Sequence, residues 1–424
     1  MDYQEAIDFL YPLHRFGIRP GLDRVHELLL ELGSPETLLG RVVHIAGTNG
    51  KGTVAACMAS IFSASGRKTG LFTSPHLVDF TERIRIDGRQ IPKDKVAGYC
   101  TRLAGLTRAI GATFFEVTTA MALAWFAEEG VEVSVIETGM GGRLDATNAV
   151  SGDIVIIPSI GLDHTAWLGD TVRLVAVEKA AIIKPGSRVY TAVDDVEAFA
   201  EIERASSRCG VPLRVVGRDA SFRVTGVHPG CLNLEVSFVS GGIRKLSVPL
   251  TGSFHASNVT LAVMAARDEG VEWGDIENGL TRLAASGYRA RLEQVSERPI
   301  VMLDVSHNPD GMRRSFEALQ DIRGVFGDLY VLVGVAADKD APGIVRPFGE
   351  LASMVATVDL PTERSLEAET LARLCREAGV AEVQVCGTPG EGFDLLCSKA
   401  GPDDMILVTG SFFLAGALIA EGRC

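Results

Sequence analysis

The chain carries Arg41-Val-Val-His-Ile-Ala-Gly47-Thr-Asn-Gly50-Lys51-Gly52-Thr53, an apolar run that enters a glycine-rich turn and continues into a helix-forming segment. This order is typical of a phosphate-binding loop. The glycines let backbone N–H groups approach an anion closely, Lys51 can reach terminal phosphates, and the Thr53 hydroxyl can bind Mg²⁺. The stretch departs from the usual pattern, because Ile45 replaces its first glycine and Gly52 separates Lys51 from Thr53. It predicts an ATP-using enzyme, with a plain strand-to-helix connection as the open alternative.

Length and composition limit the other possibilities. The 424 residues are enough for two domains, and 46% hydrophobic with 22% charged residues is typical of a globular protein. A net charge of −13 argues against a nucleic-acid partner. The eight cysteines lack metal-ligand spacing and predict a reducing compartment. Without a signal-peptide pattern or a membrane-length apolar run, we expect a cytoplasmic protein with no membrane partner.

The order of the segments predicts an α/β fold with parallel strands, because short β-branched runs alternate with helix-like segments. Strands are expected at 42–46, 69–72, 131–136, 153–160, 300–303, 329–333 and 405–408, and helices at 53–65, 117–127 and 312–319. Between 211 and 250, alternating apolar and polar residues with Gly-Gly and Pro-Gly turns predict a small antiparallel excursion. A new α/β series begins near 286–299, which predicts domains at 1–288 and 289–424.

Polar side chains follow several of the predicted strands, where ligands of an open parallel sheet bind. Glu137 comes after the strand at 131–136, His164 lies beyond the strand at 153–160, and Ser74 follows the strand at 69–72. Together with Thr53 they predict a Mg²⁺ site, although histidine is an unusual magnesium ligand. An ordinary salt bridge for Glu137 and a loop hydrogen bond for His164 stay open.

A series of motifs extends this pattern over almost the whole chain. The motifs are Phe16 to Arg24, Gly47 to Thr53, Ser74-Pro75-His76, Phe114-Phe115-Glu116, Glu137 to Asn148, Leu162-Asp163-His164, Glu178-Lys179-Ala180, His255 to Asn258, Arg291-Leu292-Glu293, Asp304 to Pro309 and Asp338-Lys339-Asp340. In order and spacing they resemble the folylpolyglutamate synthase and dihydrofolate synthase family of the Mur ligase superfamily. The resemblance implies a P-loop Mur-ligase-like ATPase domain with a mostly parallel sheet, followed by a smaller Rossmann-like C-terminal α/β domain that closes over the ATP.

The resemblance also implies an activity, that of an ATP-dependent amide ligase. A carboxylate of dihydropteroate or of a folate attacks the γ-phosphate of ATP to form an acyl phosphate, and the amino group of L-glutamate then displaces phosphate. Metal ions and lysines would neutralise the phosphoryl oxygens while these anions meet. The implied cofactors are ATP, a pair of Mg²⁺ ions and K⁺, and the implied state is a monomer.

The resemblance further implies roles for individual residues. ATP binding falls to Thr48, Asn49, Gly50, Lys51, Gly52, Thr53, Asn258, Arg291 and Asp304. Metal binding falls to Thr53, Ser74, Glu137, His164 and Lys179, the last as a carbamate, and folate binding to Thr113, Phe114, Phe115, Glu116, Leu144, Asp145 and Ala146. The catalytic residues implied are Lys51, His164, Lys179 and His307. An ordinary helix lysine at 179 and a plain core role for the Phe-Phe pair remain alternatives.

Two departures from the family pattern lie at the start of the second domain. Arg289-Ala290-Arg291 replaces the more usual Pro-Gly-Arg, and Val305-Ser306 replaces the common Gly-Ala before His307. Neither departure removes a functional side chain.

Three alternative functions differ in the sequence features that they require. A cell-wall Mur ligase is disfavoured, because the 46 residues ahead of Gly47 are too few for a nucleotide-sugar domain. A non-catalytic relative would be expected to lose Lys51, Glu137, His164 or Asp304, and all are present. A folylpolyglutamate synthase without dihydrofolate synthase activity remains the main alternative.

Overall fold

The structure, a computed structural model, describes residues 1–17 and 19–424, without the side chains of residues 14–16. In the motif from Phe16 to Arg24, residue 18 and the Phe16 side chain thus lie outside the described residues. Contacts divide the chain into two units: a first of Met1–Phe222, Val236–Arg244 and Ser257–Gly287, and a second of Arg223–Glu235, Lys245–Ala256 and Tyr288–Cys424. The simpler division at 288/289 stays a prediction.

Numbered in chain order, the strands of the described residues are β1 Arg41–Ile45, β2 Thr69–Phe72, β3 Ile84–Ile86, β4 Arg89–Gln90, β5 Val133–Glu137, β6 Ile154–Ile157, β7 Arg188–Thr191, β8 Leu213–Val215, β9 Ala220–His228, β10 Cys231–Phe238, β11 Ile243–Val248, β12 Arg291–Glu297, β13 Ile300–Asp304, β14 Leu329–Val333, β15 Met354–Val358, β16 Glu382–Cys386 and β17 Met405–Thr409. The α-helices are α1 Tyr3–Leu10, α2 Asp23–Glu31, α3 Lys51–Ala64, α4 Lys93–Ile110, α5 Phe114–Glu128, α6 Thr165–Leu168, α7 Val172–Ala180, α8 Val196–Cys209, α9 His255–Asp268, α10 Trp273–Thr281, α11 Pro309–Asp321, α12 Ala341–Val345, α13 Phe348–Leu351, α14 Ala368–Glu377, α15 Pro389–Lys399 and α16 Phe412–Ala420.

The first unit is built on a sheet of strand order β4-β3-β2-β5-β1-β6-β7-β8. The strands β2, β5, β1, β6, β7 and β8, taken in their order across the sheet, are all parallel to their neighbours. At one edge, β3 pairs antiparallel with β2, and β4 pairs antiparallel with β3. All residues of β5 and β6 are buried, as expected for strands covered by helices on both faces. Ile45 pairs with Glu137 on one side and with Ile156 on the other, so the ends of β1, β5 and β6 lie side by side.

The second unit contains a sheet of order β12-β13-β17-β14-β15-β16. Only β12 and β13 pair antiparallel among these described strands, and the others are parallel. The apolar faces of α11 and α14 pack on this sheet around Met302, Leu407 and Val331. The predicted parallel α/β series is thereby confirmed in both halves of the chain.

The region at 211–250 contributes β8 to the first sheet and otherwise forms a separate three-stranded sheet of order β11-β10-β9. Within the described residues, no helix has both the length and the apolar character needed to cross a membrane.

Two helices begin earlier than the sequence pattern predicts. Helix α3 starts at Lys51 rather than at 53, directly after Gly50, whose φ of 86° ends the preceding loop. Helix α5 starts at Phe114 rather than at 117, because the Thr113 hydroxyl accepts the Glu116 backbone N–H and the Glu116 carboxylate accepts the Thr113 N–H. This reciprocal pair is a capping box, which the sequence already contained.

Candidate active site

The glycine-rich loop lies between β1 and α3 and is fixed from the neighbouring strand β6. The backbone N–H of Asn49 donates to the Ser159 hydroxyl at 3.0 Å, and that hydroxyl donates to the Asn49 carbonyl at 2.9 Å. The Thr48 hydroxyl donates to the Gly161 carbonyl and accepts from the Gly161 N–H. The loop therefore holds its shape through bonds that leave the first N–H groups of α3 facing an anion site.

Gly50 requires the absence of a side chain. Its φ of 86° lies in the left-handed region, and a Cβ atom would stand 2.5 Å from the Asn258 Oδ1 atom. Asn258, one of the residues implied to contact ATP, is 7% exposed and thus packs directly on the loop. The structure brings these two predicted nucleotide residues together.

Two lysines meet at the beginning of the same loop. The Lys51 ammonium donates to the carbonyls of Gly47 and Thr48 at 3.0 and 3.2 Å. The Lys179 ammonium, from helix α7, donates to the same Gly47 carbonyl at 2.8 Å. Lys179 is 4% exposed, and burial together with the charge of Lys51 lowers its pKa to about 7. Lys179 is thus not an ordinary solvent-exposed helix lysine, and that alternative is wrong.

Two of the predicted metal ligands, Glu137 and Ser74, lie at the ends of β5 and β2, beside the first turn of α3. Glu137 is 5% exposed, and its Oε2 atom accepts the backbone N–H of Ser74 at 3.2 Å. Its Oε1 atom is 4.0 Å from the place a Gly52 Cβ would occupy, and Thr53 follows in the same turn. A carboxylate and hydroxyls near an anion-binding loop suit a hard divalent cation such as Mg²⁺. Without bound phosphates or a modified lysine, the described residues contain no group of three or more His, Cys, Asp or Glu side chains placed to hold a metal.

His164 lies at the start of α6 with a φ of 51°. Its backbone N–H donates to Asp163 Oδ1 at 2.8 Å, and its side chain is 38% exposed. Asp163 is also close enough to favour the charged form of Lys179. The His164 imidazole is therefore partly exposed beyond the end of β6, so it is accessible to a ligand there. Direct contact with a metal stays a prediction.

The segment at the start of α5, for which folate binding is predicted, is mostly enclosed. Phe114 is 3% exposed, and the Glu116 carboxylate forms an ion pair with Arg24, whose Nε lies 3.0 and 3.2 Å from its two oxygens. Phe115 is only half-buried, and its ring would touch a Cβ at Gly139 at 2.6 Å. Thr113 and Glu116 therefore fix the helix end, and Phe115 is the residue of this segment that offers ring surface.

The second segment for which folate binding is predicted, Leu144 to Ala146, is held by a buried carboxylate. Asp145 accepts the N–H of Met140 at 2.8 Å and both the N–H and the hydroxyl of Thr147. The Thr147 hydroxyl is in turn 2.9 Å from His44 Nε2, and burial lowers the pKa of His44 to about 3, so this histidine is neutral. Ala146 is enclosed, whereas Leu144 is half-buried. Asp145 thus shapes the loop, and contact of Leu144 with folate stays a prediction.

In the second unit, Arg291 and His307 share an aromatic neighbour. The Arg291 guanidinium carbon lies 4.7 Å from the Phe412 ring centroid, and the His307 ring centroid lies 5.8 Å from it. Ala290 has a φ of 56°, so the residue that replaces the usual glycine still takes the left-handed conformation before Arg291. Asp304 is 2% exposed and accepts the hydroxyl of Ser315 at 2.8 Å.

Sequence reasoning missed several residues of these sites. Ser159 and Phe412 have no local signal, because a serine after a strand and a phenylalanine in an apolar helix are common. Arg83 lies only seven residues after His76, but its approach to Phe114 depends on the fold. Arg24 belongs to a predicted motif, whereas its ion pair with Glu116 has no signal in the sequence. The capping box of α5 was the one signal that could have shown Glu116 to be a structural carboxylate.

Matches to known protein families agree with this two-part α/β architecture. The Mur ligase middle domain matches residues 45–266, and the Mur ligase glutamate ligase domain matches residues 290–412. The chain is 31% identical to the folylpolyglutamate synthase of Lacticaseibacillus casei, covering 99% of this chain and 98% of that protein. It is 34% identical to a probable bifunctional folylpolyglutamate synthase/dihydropteroate synthase of Haloferax volcanii, of whose length it spans only 50%.

Solved structures agree with these relatives. The structure of Escherichia coli FolC in complex with DHPP and ADP superposes with a TM-score of 0.90 at 28% identity, covering 100% of this chain and 98% of that chain. The bifunctional folylpolyglutamate synthase/dihydrofolate synthase of Yersinia pestis complexed with AMPPNP and Mn ion gives a TM-score of 0.87 at 28% identity, covering 100% and 98%. Fold and site define a Mur-type ligase. Within that class, the chain belongs to the folylpolyglutamate synthase/dihydrofolate synthase family.

Proposed function

We propose that this enzyme uses ATP to join L-glutamate to the carboxylate of dihydropteroate and to that of tetrahydrofolate. The observation that supports this most directly is the meeting of Lys51 and Lys179 at the Gly47 carbonyl, beside Glu137, at the ends of parallel strands. A phosphate loop with one buried and one half-buried lysine and a buried carboxylate suits phosphoryl transfer. The names and bound ligands of the relatives supply the pterin substrate class.

The chain's own residues explain how two anions can react. The N–H groups at the start of α3 and the Lys51 ammonium would hold the phosphates and offset their charge. The acceptor carboxylate attacks the γ-phosphorus, the bond to ADP breaks, and the acyl phosphate that forms is open to the amine of L-glutamate. That amine forms the C–N bond, releases phosphate and loses one proton. A divalent ion, when bound by Glu137 and the Thr53 hydroxyl, would further neutralise the phosphoryl oxygens.

We further propose that Lys179 becomes a carbamate. Because its pKa is about 7, a large fraction of its amine is neutral near neutral pH and can attack CO₂. The new C–N bond gives a carbamate, and one proton is released. The product replaces a buried cation beside Lys51 by an anion, which supports binding of a second Mg²⁺ together with His164.

The choice between two activities and one is tested by a single assay. Purified full-length enzyme with MgATP would be given dihydropteroate or tetrahydrofolate, and glutamate-dependent phosphate release would be measured for each. Release with both substrates agrees with the proposal. Release with tetrahydrofolate alone would favour the alternative, a folylpolyglutamate synthase only, which the L. casei relative's name supports. Release with neither would refute the function.

Several finer points belong to the same proposal. The eight cysteines are free thiols, which supports a cytoplasmic location. A requirement for K⁺, a monomeric state and the absence of a nucleic-acid partner stay predictions from the sequence.

A further inference from the structure

Arg83 is a buried cation next to the proposed reaction centre that the mechanism above does not use. Its side chain is 6% exposed, and its backbone carbonyl accepts the N–H of Thr73, the residue before Ser74, at 3.0 Å. Its Nε atom donates to His76 Nδ1 at 2.7 Å. The terminal nitrogens Nη1 and Nη2 make no hydrogen bond within the described part of the chain, yet they keep contact with solvent. The outer edge of the guanidinium is therefore open to a ligand.

The charge of Arg83 is not neutralised by a direct ion pair with any described carboxylate. None of the described carboxylates forms an ion pair with it, and the nearby Glu82 accepts the backbone N–H groups of Leu77 and Val78. Burial lowers the pKa of Arg83 to about 10, with Glu137 and Glu82 favouring the charged form, so it is a cation at neutral pH. A buried charge without a partner is unfavourable and is stabilised when an anion binds.

Aromatic rings surround this guanidinium. Its central carbon lies 5.0 Å from the ring centroid of Phe114. The His76 ring stacks on Tyr11 with centroids 6.2 Å apart and an interplanar angle of 11°, and Phe80 meets Phe114 edge to face at 5.9 Å. An arginine with free N–H groups binds a carboxylate in two parallel hydrogen bonds, and aromatic rings bind an aryl group. The surroundings suit an aromatic acid.

We propose that Arg83 binds the carboxylate of the acceptor substrate, an aryl carboxylate of the pteroate type or its glutamyl extension, with Tyr11 and His76 beside the ring while the buried Phe114 ring supports the guanidinium from behind. This inference rests on the proposed function, because it assumes that such an acid is the acceptor. L-Glutamate also carries carboxylates, but it has no ring to use the aromatic neighbours.

Direct binding separates the two proposals. Full-length enzyme would be titrated by calorimetry with pteroic acid and with its methyl ester, which lacks the charge. The wild type should prefer the acid by about 10- to 100-fold, the difference expected for hydrogen bonds to a charged group. Arg83→Gln should lose that preference, and Arg83→Lys should keep part of it. Arg89→Gln removes the same charge from the exposed strand β4 and should change nothing.

An equal preference in the wild type and Arg83→Gln would overturn the inference and leave the proposed function standing. Failure of the wild type to bind either compound would overturn both. Arg83→Gln should melt close to the wild type, because removing a buried charge that lacks an ion pair offsets the lost hydrogen bond to His76 and the lost contact with Phe114. A lower melting temperature with unchanged ligand preference would show a purely structural role and would also overturn the inference.

Kinetics identify which carboxylate is bound. A raised KM for both dihydropteroate and tetrahydrofolate in Arg83→Gln would support contact with the carboxylate that reacts. A raised KM for tetrahydrofolate alone would indicate contact with its glutamyl α-carboxylate, which dihydropteroate lacks, and would overturn the inference. A raised KM for L-glutamate alone would overturn the inference.

Discussion

The ammonium groups of Lys51 and Lys179 donate to one carbonyl oxygen, that of Gly47, from 3.0 and 2.8 Å. Burial disfavours the charged form of Lys179, and the repulsion between two cations that share an acceptor disfavours it further. This explains why the pKa of Lys179 falls to about 7. The relationship joins helix α7 to the phosphate loop, and it links the protonation of one lysine to the charge of the other.

The lowered pKa of Lys179 predicts a pH-dependent stability. Between about 7 in the folded state and the usual 10.5 in the unfolded state, the unfolded chain binds the additional proton. The free energy of unfolding should therefore rise with pH across this window, by at most about 1.4 kcal/mol per pH unit, and the gain should be absent below pH 7. Urea unfolding of wild type and Lys179→Met in CO₂-free buffer measures it. The exposed Lys245→Met is the control, and parallel curves for wild type and Lys179→Met would contradict the prediction.

Carbamylation of Lys179 predicts chemical rescue. Lys179→Ala should fold but lose most ligase activity, because the carboxylate that holds the second metal is missing. Acetate or propionate can supply a carboxylate in the space that the side chain leaves, so activity should partly return with increasing acid. The measurement is glutamate-dependent phosphate release against acid concentration. Equal insensitivity of wild type and variant to these acids would count against the carbamate.

Replacing Lys51 should separate catalysis from stability. Lys51→Ala removes an amine whose hydrogen bonds go to two loop carbonyls, so the fold should remain intact. Loss of the positive charge in the phosphoryl transition state should lower kcat by about 10² or more. The assay is phosphate release at saturating substrates, with Lys245→Ala as the exposed control. Near-normal turnover would show that the loop does not act as proposed.

Gly50→Ala should impair nucleotide binding more than its conformational cost explains. The left-handed backbone costs an alanine about 1–2 kcal/mol, and its methyl group would also collide with Asn258 Oδ1 at 2.5 Å. Gly66→Ala is the matched control at the other end of α3, with a φ of 81° and no described atom within 4 Å of the added methyl. Both variants should lose stability, and only Gly50→Ala should weaken ADP binding in calorimetry. Equal ADP affinities would argue against the close packing of Asn258 on the loop.

The features that the sequence predicted best are those set by residues close together in the chain. The apolar run into Gly47, the polar residues after β5 and β6 and the alternation of strands and helices are local signals, and the structure confirms the parallel α/β fold that they indicated. The contact of Lys179 with Gly47 spans 132 residues, and that of Arg24 with Glu116 spans 92. Such pairs depend on strand order and register, which no local pattern states. Arg83 was missed in part for the same reason, since Phe114 comes from a separate segment, although His76 lies only seven residues before Arg83.

Asp304 accepts several structural hydrogen bonds, and this role can be separated experimentally from its predicted contact with the nucleotide. Its Oδ2 atom accepts the hydroxyl of Ser315 at 2.8 Å, the N–H of Ser306 at 3.3 Å and the hydroxyl of Thr409 at 3.4 Å. Asp304→Ala leaves these donors without an acceptor and should cost about 1–3 kcal/mol of stability, which would confuse an activity assay. Asp304→Asn keeps an oxygen for them and should melt near the wild type, while the lost charge slows ligation if Asp304 contacts the nucleotide. Melting temperature and phosphate release would be measured for both variants, with Ser315→Ala as a control that weakens the same cluster but leaves the carboxylate. A rate of phosphate release in Asp304→Asn equal to that of the wild type would show that Asp304 is only a structural hydrogen-bond acceptor.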